Sequence, residues 1–510
     1  MSGTPDDALK GPDLEVGIPT SLVVDGAMLL GHVGTEPVLV ARAGGSLYAI
    51  GATCTHYGGP LAEGILVGDT VRCPWHHACF SLKTGEPLRA PALDRVSCFR
   101  VEDHGGTIVV RDRIEPPSEY LTIPASPPAS VVIVGAGAAG VAAAEMLRRC
   151  GYTDSIKLFD QLHTPPVDRP NLSKDYLAGT AEEAWVNLRP DDFYTSRNIE
   201  LIRGQRIARM DTNARNVVTE DGAIVQFGAL LLATGSSPVK LPVPGAGLPT
   251  VHYLRTLDDS KAIIAAAQHG KCAVVIGASF IGLEVAAALR ARDVAVTVVA
   301  PESLPLERVL GAELGRMVKA LHESHGVVFR LGANVQSITS NAVQLADGTS
   351  LPADFIVVGV GVRPDVALAQ EAGLDVDNGV VVNATLQTSA PNVFAAGDIA
   401  SWPDPRVGRI RVEHWVVAEQ QGQAAARNIL GGNEAFALTP FFWSRHYDLQ
   451  INYVGHSTRG DTRRVDGHPM KHDCTVTYSA PAGTIYAQAD VGRDQADLLA
   501  EARLNGEIHQ

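Results

Sequence analysis

The stretches VVIVGAGAAGVAAAEMLRR and AVVIGASFIGLEVAAALRARDVAVTVVAPE each run from an apolar strand through a glycine turn into an alanine-rich helix. In the first, Gly135, Gly137 and Gly140 form GxGxxG; in the second, Gly277, Ser279 and Gly282 keep the spacing with serine in the middle place. The order strand, turn, helix brings backbone N–H groups and a helix dipole to one point, where a pyrophosphate is received. Two such units commit the chain to two parallel α/β sheets and two dinucleotides. The strand IKLFD that follows the first unit ends at Asp160. This residue is a candidate for the adenosine ribose hydroxyls, with a solvated strand-end acid as the competing reading.

Nearer the N-terminus, Cys54-Thr-His56 and Cys73-Pro-Trp-His76 form a CxH and CxxH pair. One Cys and one His per loop suits two loop tips closing on a [2Fe-2S] cluster, with two thiolates on one iron and two neutral imidazoles on the other. The same donors serve Cys2His2 zinc sites, but zinc modules usually pair CxxC with HxxxH. The CPWH and HxGGPL surroundings resemble the Rieske ferredoxin family over about the first 115 residues. Against that pattern, Gly59 and Trp75 stand where quinol-oxidising members carry a cystine, and Ala78 stands where they place a potential-raising Ser. Fewer donors near the sulfurs imply a low potential for the class, on the order of −150 mV. His77 replaces a common Gly and competes with His76 as ligand; the CxxH spacing selects His76.

At 510 residues, with charges interspersed and a net charge of −14, the chain holds several domains and shows no basic patch. Nucleic acid is therefore an unexpected partner. Seven Cys with no CxxC do not make a secreted disulfide framework, and no basic-then-apolar leader or membrane span is visible. A soluble cytoplasmic protein is expected. Residues up to 113 read as strands, with hairpins turning at Gly44-Gly45 and Gly105-Gly106. Residues 114–130, with five Pro and three Ser, read as a semi-extended tether.

Between the fingerprints lies LLLATGSSP, with Ala233, Thr234 and Gly235 closing a buried strand; after them lies NVFAAGDIA, with Gly397 and Asp398. These four elements in this order resemble the two-dinucleotide flavoproteins that include ferredoxin reductases, glutathione reductase and apoptosis-inducing factor, over roughly residues 129–450. The resemblance implies FAD on the first fingerprint, NAD(P)H on the second and Asp398 on the flavin's ribityl chain. Disulfide reductases of that family carry CxxxxC beside the flavin, whereas the corresponding VDRPNLSKDYL has no Cys, which excludes thiol relay chemistry. This stretch instead resembles the RPxLSK signature of oxygenase-coupled ferredoxin reductases. That likeness implies Arg169, Pro170 and Lys174 at the flavin, with Lys174 paired to Glu284; a cation there favours the anionic reduced form. Past Asp398, RVEHWVVAEQQGQAAARNILGG resembles the family's helix near the flavin, which implies Glu413, His414 and Trp415 at the isoalloxazine, with Trp415 able to cover the nicotinamide position and a buried core Trp as the competing reading. Phe441, Phe442 and Trp443 read as core rather than electron conduit. Val299-Ala300-Pro301-Glu302, with no basic residue until Arg308, favours NADH over NADPH.

The expected architecture is an all-β Rieske domain (1–113), a Pro-rich linker (114–128) and an α/β flavoprotein fold, followed by a small α+β interface domain (436–510). The flavoprotein fold divides into an FAD part (129–250), an NAD(P) part (251–372) and a second FAD part (373–435). The expected activity is electron transfer from NADH through FAD to the fused cluster, and on to an unidentified protein or small-molecule acceptor, by a monomer or homodimer. The alternative is a redox sensor resembling apoptosis-inducing factor, with slow NADH oxidation.

Overall fold

The computed structural model describes residues 10–118, 126–458 and 460–508. Part of the expected linker, 119–125, lies outside the described residues. The N-terminal region pairs a six-stranded antiparallel sheet with a four-stranded one. In the larger sheet Glu36–Ala43 and Ser46–Gly51 pair in the register Ala43↔Ser46. Gly44 and Gly45 thus form a two-residue loop, and both have positive φ, 56° and 78°, as a type I′ turn requires. The smaller sheet, Ile65–Val67, Thr70–Arg72, Cys79–Ser81 and Pro87–Arg89, carries one of the two Cys/His loops at a hairpin end.

Two five-stranded parallel sheets follow. The first runs Ile199–Ile202, Ser155–Phe159, Ser130–Val134, Ala229–Leu232, Val393–Ala395, its last strand contributed from beyond the second unit. The second runs Val251–Tyr253, Phe355–Val358, Cys272–Ile276, Ala295–Ala300, Val328–Leu331. Their central strands are buried on both faces, which is why they read as unbroken apolar runs. Helix α1 (Ala138–Arg149) leaves the first fingerprint and α2 (Phe280–Ala291) the second. Helix α3 (Ala312–Ser324) packs its apolar face on the C-terminal sheet, and α4 (Trp415–Ile429) packs along α1 so closely that a Cβ at Gly422 would overlap the Ala139 carbonyl. The C-terminal region is a five-stranded antiparallel sheet backed by α5 (Ala496–Leu504), an α+β unit.

Candidate functional site

Arg72 pairs with Cys79 across the small sheet, so Cys73–Ala78 is the hairpin loop between them. Its ends are tied by Cys73 N donating to Ala78 O at 2.8 Å and His77 N to Cys73 O at 3.2 Å. The facing loop closes by Cys54 N to Gly59 O at 2.8 Å and Gly58 N to Cys54 O at 2.9 Å. The amides of His56 and Tyr57 point at the Cys54 sulfur, and those of Trp75 and His76 at the Cys73 sulfur. The two thiols face each other, and the two imidazoles lie with ring centroids 5.0 Å apart. The four side chains therefore pair two and two. Among the described residues no three His, Cys, Asp or Glu side chains converge as on a single metal ion.

Three observations fit a [2Fe-2S] cluster between these loops. His56 Nδ1 is buried with no hydrogen-bond partner in the protein. Burial, with Arg189 adding, pushes the His56 imidazole down to about 3, and burial likewise keeps His76 neutral, as iron ligands must be. A Cβ at Gly59 would lie 2.7 Å from Cys73 Sγ and 3.2 Å from the Trp75 ring, so the loop can close only on glycine.

His77 takes no part in this set. Its φ of 62° lies in the left-handed region that glycine favours, and turns its ring away from the loops. Both ring nitrogens meet carboxylates of α5: Nδ1 at 2.5 Å from Glu501 Oε2, Nε2 at 3.0 Å from Asp497 Oδ2. Burial opposes the imidazolium, but Glu501 and Asp497 outweigh it and raise His77 to about 9.

A cavity of about 520 Å³ lies where the two parallel sheets and the C-terminal sheet meet. Of the sequence-predicted residues, Gly137, Arg169, Lys174, Ala233, Gly235, Ser279, Glu284, Gly397, Asp398 and Trp415 line it. Gly135, Gly140, Gly277 and Gly282 shape the two turns beneath: a Cβ at any of them would overlap a backbone carbonyl. Thr234 is engaged elsewhere, donating to Asp365 O at 2.8 Å. Asp160 does not line the cavity; its Oδ1 accepts from Leu162 N at 3.0 Å, and burial raises its pKa.

Arg169 is half-buried with its guanidinium against Gly137, and among the described residues it has no hydrogen-bonded acceptor. Burial and neighbouring Arg255 lower it to about 10, so the fingerprint mouth holds two guanidiniums side by side. Arg255 ion-pairs with Asp398 at 2.9 Å, while Ser236 donates to the same carboxylate at 2.7 Å. Burial works against that charge, yet Arg255, Ser236 and Arg169 hold Asp398 below the usual carboxylate range. The Arg169 guanidinium is left facing the cavity with no acceptor hydrogen-bonded to it among the described residues. That donor set fits the pyrophosphate of a dinucleotide.

Lys174 Nζ lies 2.9 Å from Glu284 Oε2 and 3.3 Å from Pro170 O. Glu284 also accepts from Ser173 at 2.6 Å and, through Oε1, from Ser444 at 2.7 Å. Sequence reading missed Arg255, Ser236, Ser173 and Ser444: Ser173 and Ser236 stand inside the RPNLSK and LLLATGSSP stretches, whereas Arg255 and Ser444 stand in no motif and their signal is spatial.

The strand Phe441–His446 joins the two centres. Side chains alternate along a strand, so its odd and even residues face opposite ways. On one face, Phe441 stacks on His77 at 3.6 Å between centroids and Trp443 meets His76 at 4.2 Å. On the other, Phe442 packs against Phe280 and His414, and Ser444 reaches Glu284. Phe441 is core, as expected. Trp443 is not: it is partly exposed, lines the cavity and touches a cluster-loop histidine, because its position in the strand turns it toward the N-terminal domain.

Around this contact the N-terminal domain is fastened to the rest of the chain. Arg149 of α1 donates to Pro87 O at 2.8 Å, Ala90 N donates to Gln423 Oε1 at 3.1 Å, and Tyr57 bonds Asp168. Gln495 donates to Glu63 O and Gly64 O, both at 2.9 Å, and Glu507 pairs with Arg72 at 2.8 Å and with Arg89. Ile65, Leu498 and Ala502 form a shared apolar cluster. No helix among the described residues is long and apolar enough to cross a membrane.

Residues 129–422 match the family model "Pyridine nucleotide-disulphide oxidoreductase" and residues 16–100 match "Rieske [2Fe-2S] domain". The chain is 33% identical over 506 residues to apoptosis-inducing factor 3 of Homo sapiens, covering 94% of this chain and 82% of that one. It is 38% identical over 370 residues to the ferredoxin–NAD(+) reductase component of the anthranilate 1,2-dioxygenase system of Burkholderia cepacia, covering 71% and 91%. The crystal structure of a covalent putidaredoxin reductase–putidaredoxin complex matches with a TM-score of 0.72 and 34% identity, over 74% of this chain and 93% of that chain.

Proposed function

The chain belongs to the pyridine nucleotide-disulphide oxidoreductase family and carries a Rieske [2Fe-2S] domain, and from that premise we propose that it is an NAD(P)H:acceptor oxidoreductase serving its own cluster. When bound, FAD and the nicotinamide supply hydride transfer, and the iron–sulfur cluster supplies one-electron transfer to an external ferredoxin-type or small-molecule acceptor. The observation that carries this reading is the 4.2 Å contact of His76 with Trp443, a residue lining the cavity that holds Lys174, Glu284 and Trp415.

Each residue's part follows from its position. The Gly135, Gly137, Gly140 turn and the free Arg169 guanidinium receive the FAD pyrophosphate, and Asp398, steadied by Arg255 and Ser236, takes the ribityl side. The Gly277, Ser279, Gly282 turn receives the nicotinamide dinucleotide. Lys174, held by Glu284 and Pro170 O, presents a fixed cation, and Trp415, which lines the cavity, would cover the nicotinamide position. Cys54 and Cys73 would hold one iron of the cluster, and His56 and His76 the other. No cysteine lines the cavity, so the disulphide chemistry in the family's name has no residues to perform it here.

Anaerobic mixing with NADH, following flavin and cluster absorbance separately, tests the reading. Cluster reduction trailing flavin reduction is expected; a cluster that stays oxidised beside reduced flavin overturns it. A redox-sensing reading, which the relative matching 94% of the chain favours, requires turnover slower than minutes in the same traces.

Two further outcomes are expected. Arg169→Ala removes a charge-assisted bond worth about 1.5–3 kcal/mol, so FAD affinity falls roughly 10–100-fold, read as a lower 450/280 nm absorbance ratio. Glu302 ion-pairs with Arg308 at 2.9 Å, cancelling the nearest basic group that a 2′-phosphate would use. NADH is therefore preferred to NADPH in kcat/KM, by about tenfold or more; equal values reject this.

A further inference from the structure

We propose that Ser444, His446, His322 and Tyr447 form a proton relay linking Glu284 in the cavity to the protein surface. The inference rests on the function proposed above: hydride brings two electrons and a proton into the site, whereas a cluster or ferric acceptor removes electrons alone. For each NADH oxidised to NAD⁺, two one-electron acceptors are reduced and one proton is released. That proton needs its own way out.

The structure holds a continuous hydrogen-bonded series leading from the Lys174–Glu284 pair. Ser444 Oγ is 2.7 Å from Glu284 Oε1, His446 Nε2 is 3.1 Å from Ser444 Oγ, His322 Nε2 is 3.2 Å from His446 Nδ1, and Tyr447 Oη is 3.4 Å from His322 Nδ1. The fold explains the alignment: Ser444 and His446 are alternate residues on one face of Phe441–His446, His322 sits on α3, and Tyr447 stands in the following turn with φ 58°. Tyr447 is partly exposed and stacks on exposed His325 at 3.6 Å.

Only one set of donors satisfies every bond while Glu284 is a carboxylate. Ser444 donates to Glu284, His446 donates through Nε2 to Ser444, His322 donates through Nε2 to His446, and Tyr447 donates to His322. Every donor then points inward, which is the arrangement left once a proton has gone out: with Glu284 protonated each donor points outward, and passing that proton to the surface reverses the whole series. A ring with one protonated and one free nitrogen can pass a proton in this way.

His322 and His446 are fully buried, an expense in desolvation that the hydride and electron steps do not explain. Burial lowers His446 to about 3, with Lys174 adding, and lowers His322 to about 2, with His446 and His325 adding. Tyr447, facing Arg290, is raised to about 12 by burial. Every member is therefore neutral near pH 7, as a tautomeric relay requires.

The test uses the holoprotein reduced with one equivalent of NADH, then mixed in weak buffer with ferricyanide and a pH-indicator dye. Ferricyanide takes electrons without protons, so proton appearance is read apart from electron loss and without reliance on the cluster. In the parent protein the proton is expected to appear together with flavin reoxidation, more slowly in D2O. In His446→Phe it lags by on the order of 10²-fold, and added imidazole restores His446→Ala. Tyr447→Phe removes only a partly exposed hydroxyl and shows the same lag if either His446 variant fails to fold. Side-chain ¹⁵N shifts of His322 and His446 should report neutral Nε2–H tautomers. Unchanged proton release in the variants, or an imidazolium at either site at pH 7, overturns the relay. A parent cluster that NADH never reduces overturns the proposed function instead.

Discussion

A His76→Ala protein is expected to accept hydride from NADH yet deliver almost no electrons to cytochrome c. His76 is one of two neutral, half-buried imidazoles between the cluster loops, and alanine offers iron no donor. The change also deletes the ring that meets Trp443. Cytochrome c reduction should fall by more than the roughly 10–100-fold typical of losing an outer-sphere partner of a metal ligand, since the ligand itself is gone. Iron and acid-labile sulfide should fall with it, while the 450 nm flavin band and its bleaching by NADH persist. Trp443→Phe separates the two causes, because it keeps the cluster and alters only the contact. If His76→Ala reduces cytochrome c at the parental rate, the external acceptor draws on the flavin directly, and the cluster is not the way out.

What could be read in the sequence was what local backbone dictates. The outer glycines of the two fingerprints, Gly135 and Gly140, Gly277 and Gly282, are required by carbonyls that would collide with any Cβ, and the two Cys/His loops are closed by hydrogen bonds within a few residues. Such constraints leave fixed spacings behind. The pairing of Lys174 with Glu284 was legible only through family resemblance, since 110 positions separate the two. Arg255 on Asp398, Tyr57 on Asp168 and the carboxylates on His77 leave no spacing at all. The misreading of Trp443 as core has the same origin. An aromatic run such as Phe441-Phe442-Trp443 announces a strand, but which alternate residues face a neighbouring domain depends on that domain being docked.

The second large effect is expected from Glu501→Ala, a substitution in a helix that touches neither nucleotide fingerprint. Glu501 and Asp497 of α5 hold the buried His77 imidazolium from both sides, directly beneath the strand that carries Trp443. Removing one member of a buried charged group costs about 3–5 kcal/mol, because the remaining charge keeps its desolvation penalty. Asp497 lessens this, yet the energy falls on the docking of the two domains, since His77 lies on one and α5 on the other. At ~1.4 kcal/mol per factor of ten, even the lower figure reduces the docked population relative to the undocked about 100-fold. Flavin reduction by NADH should then proceed normally while flavin-to-cluster transfer slows by up to that factor, with the cluster's own spectrum intact. Glu507→Ala provides the contrast: Arg72 is buried, but Glu507 is partly exposed and Arg72 keeps the nearby Glu501 carboxylate when Glu507 is removed, so a smaller effect is expected. High salt should leave the buried His77 group almost untouched. An unchanged flavin-to-cluster rate in Glu501→Ala means that the apolar Ile65, Leu498, Ala502 cluster and the Tyr57–Asp168 bond dock the cluster domain without it.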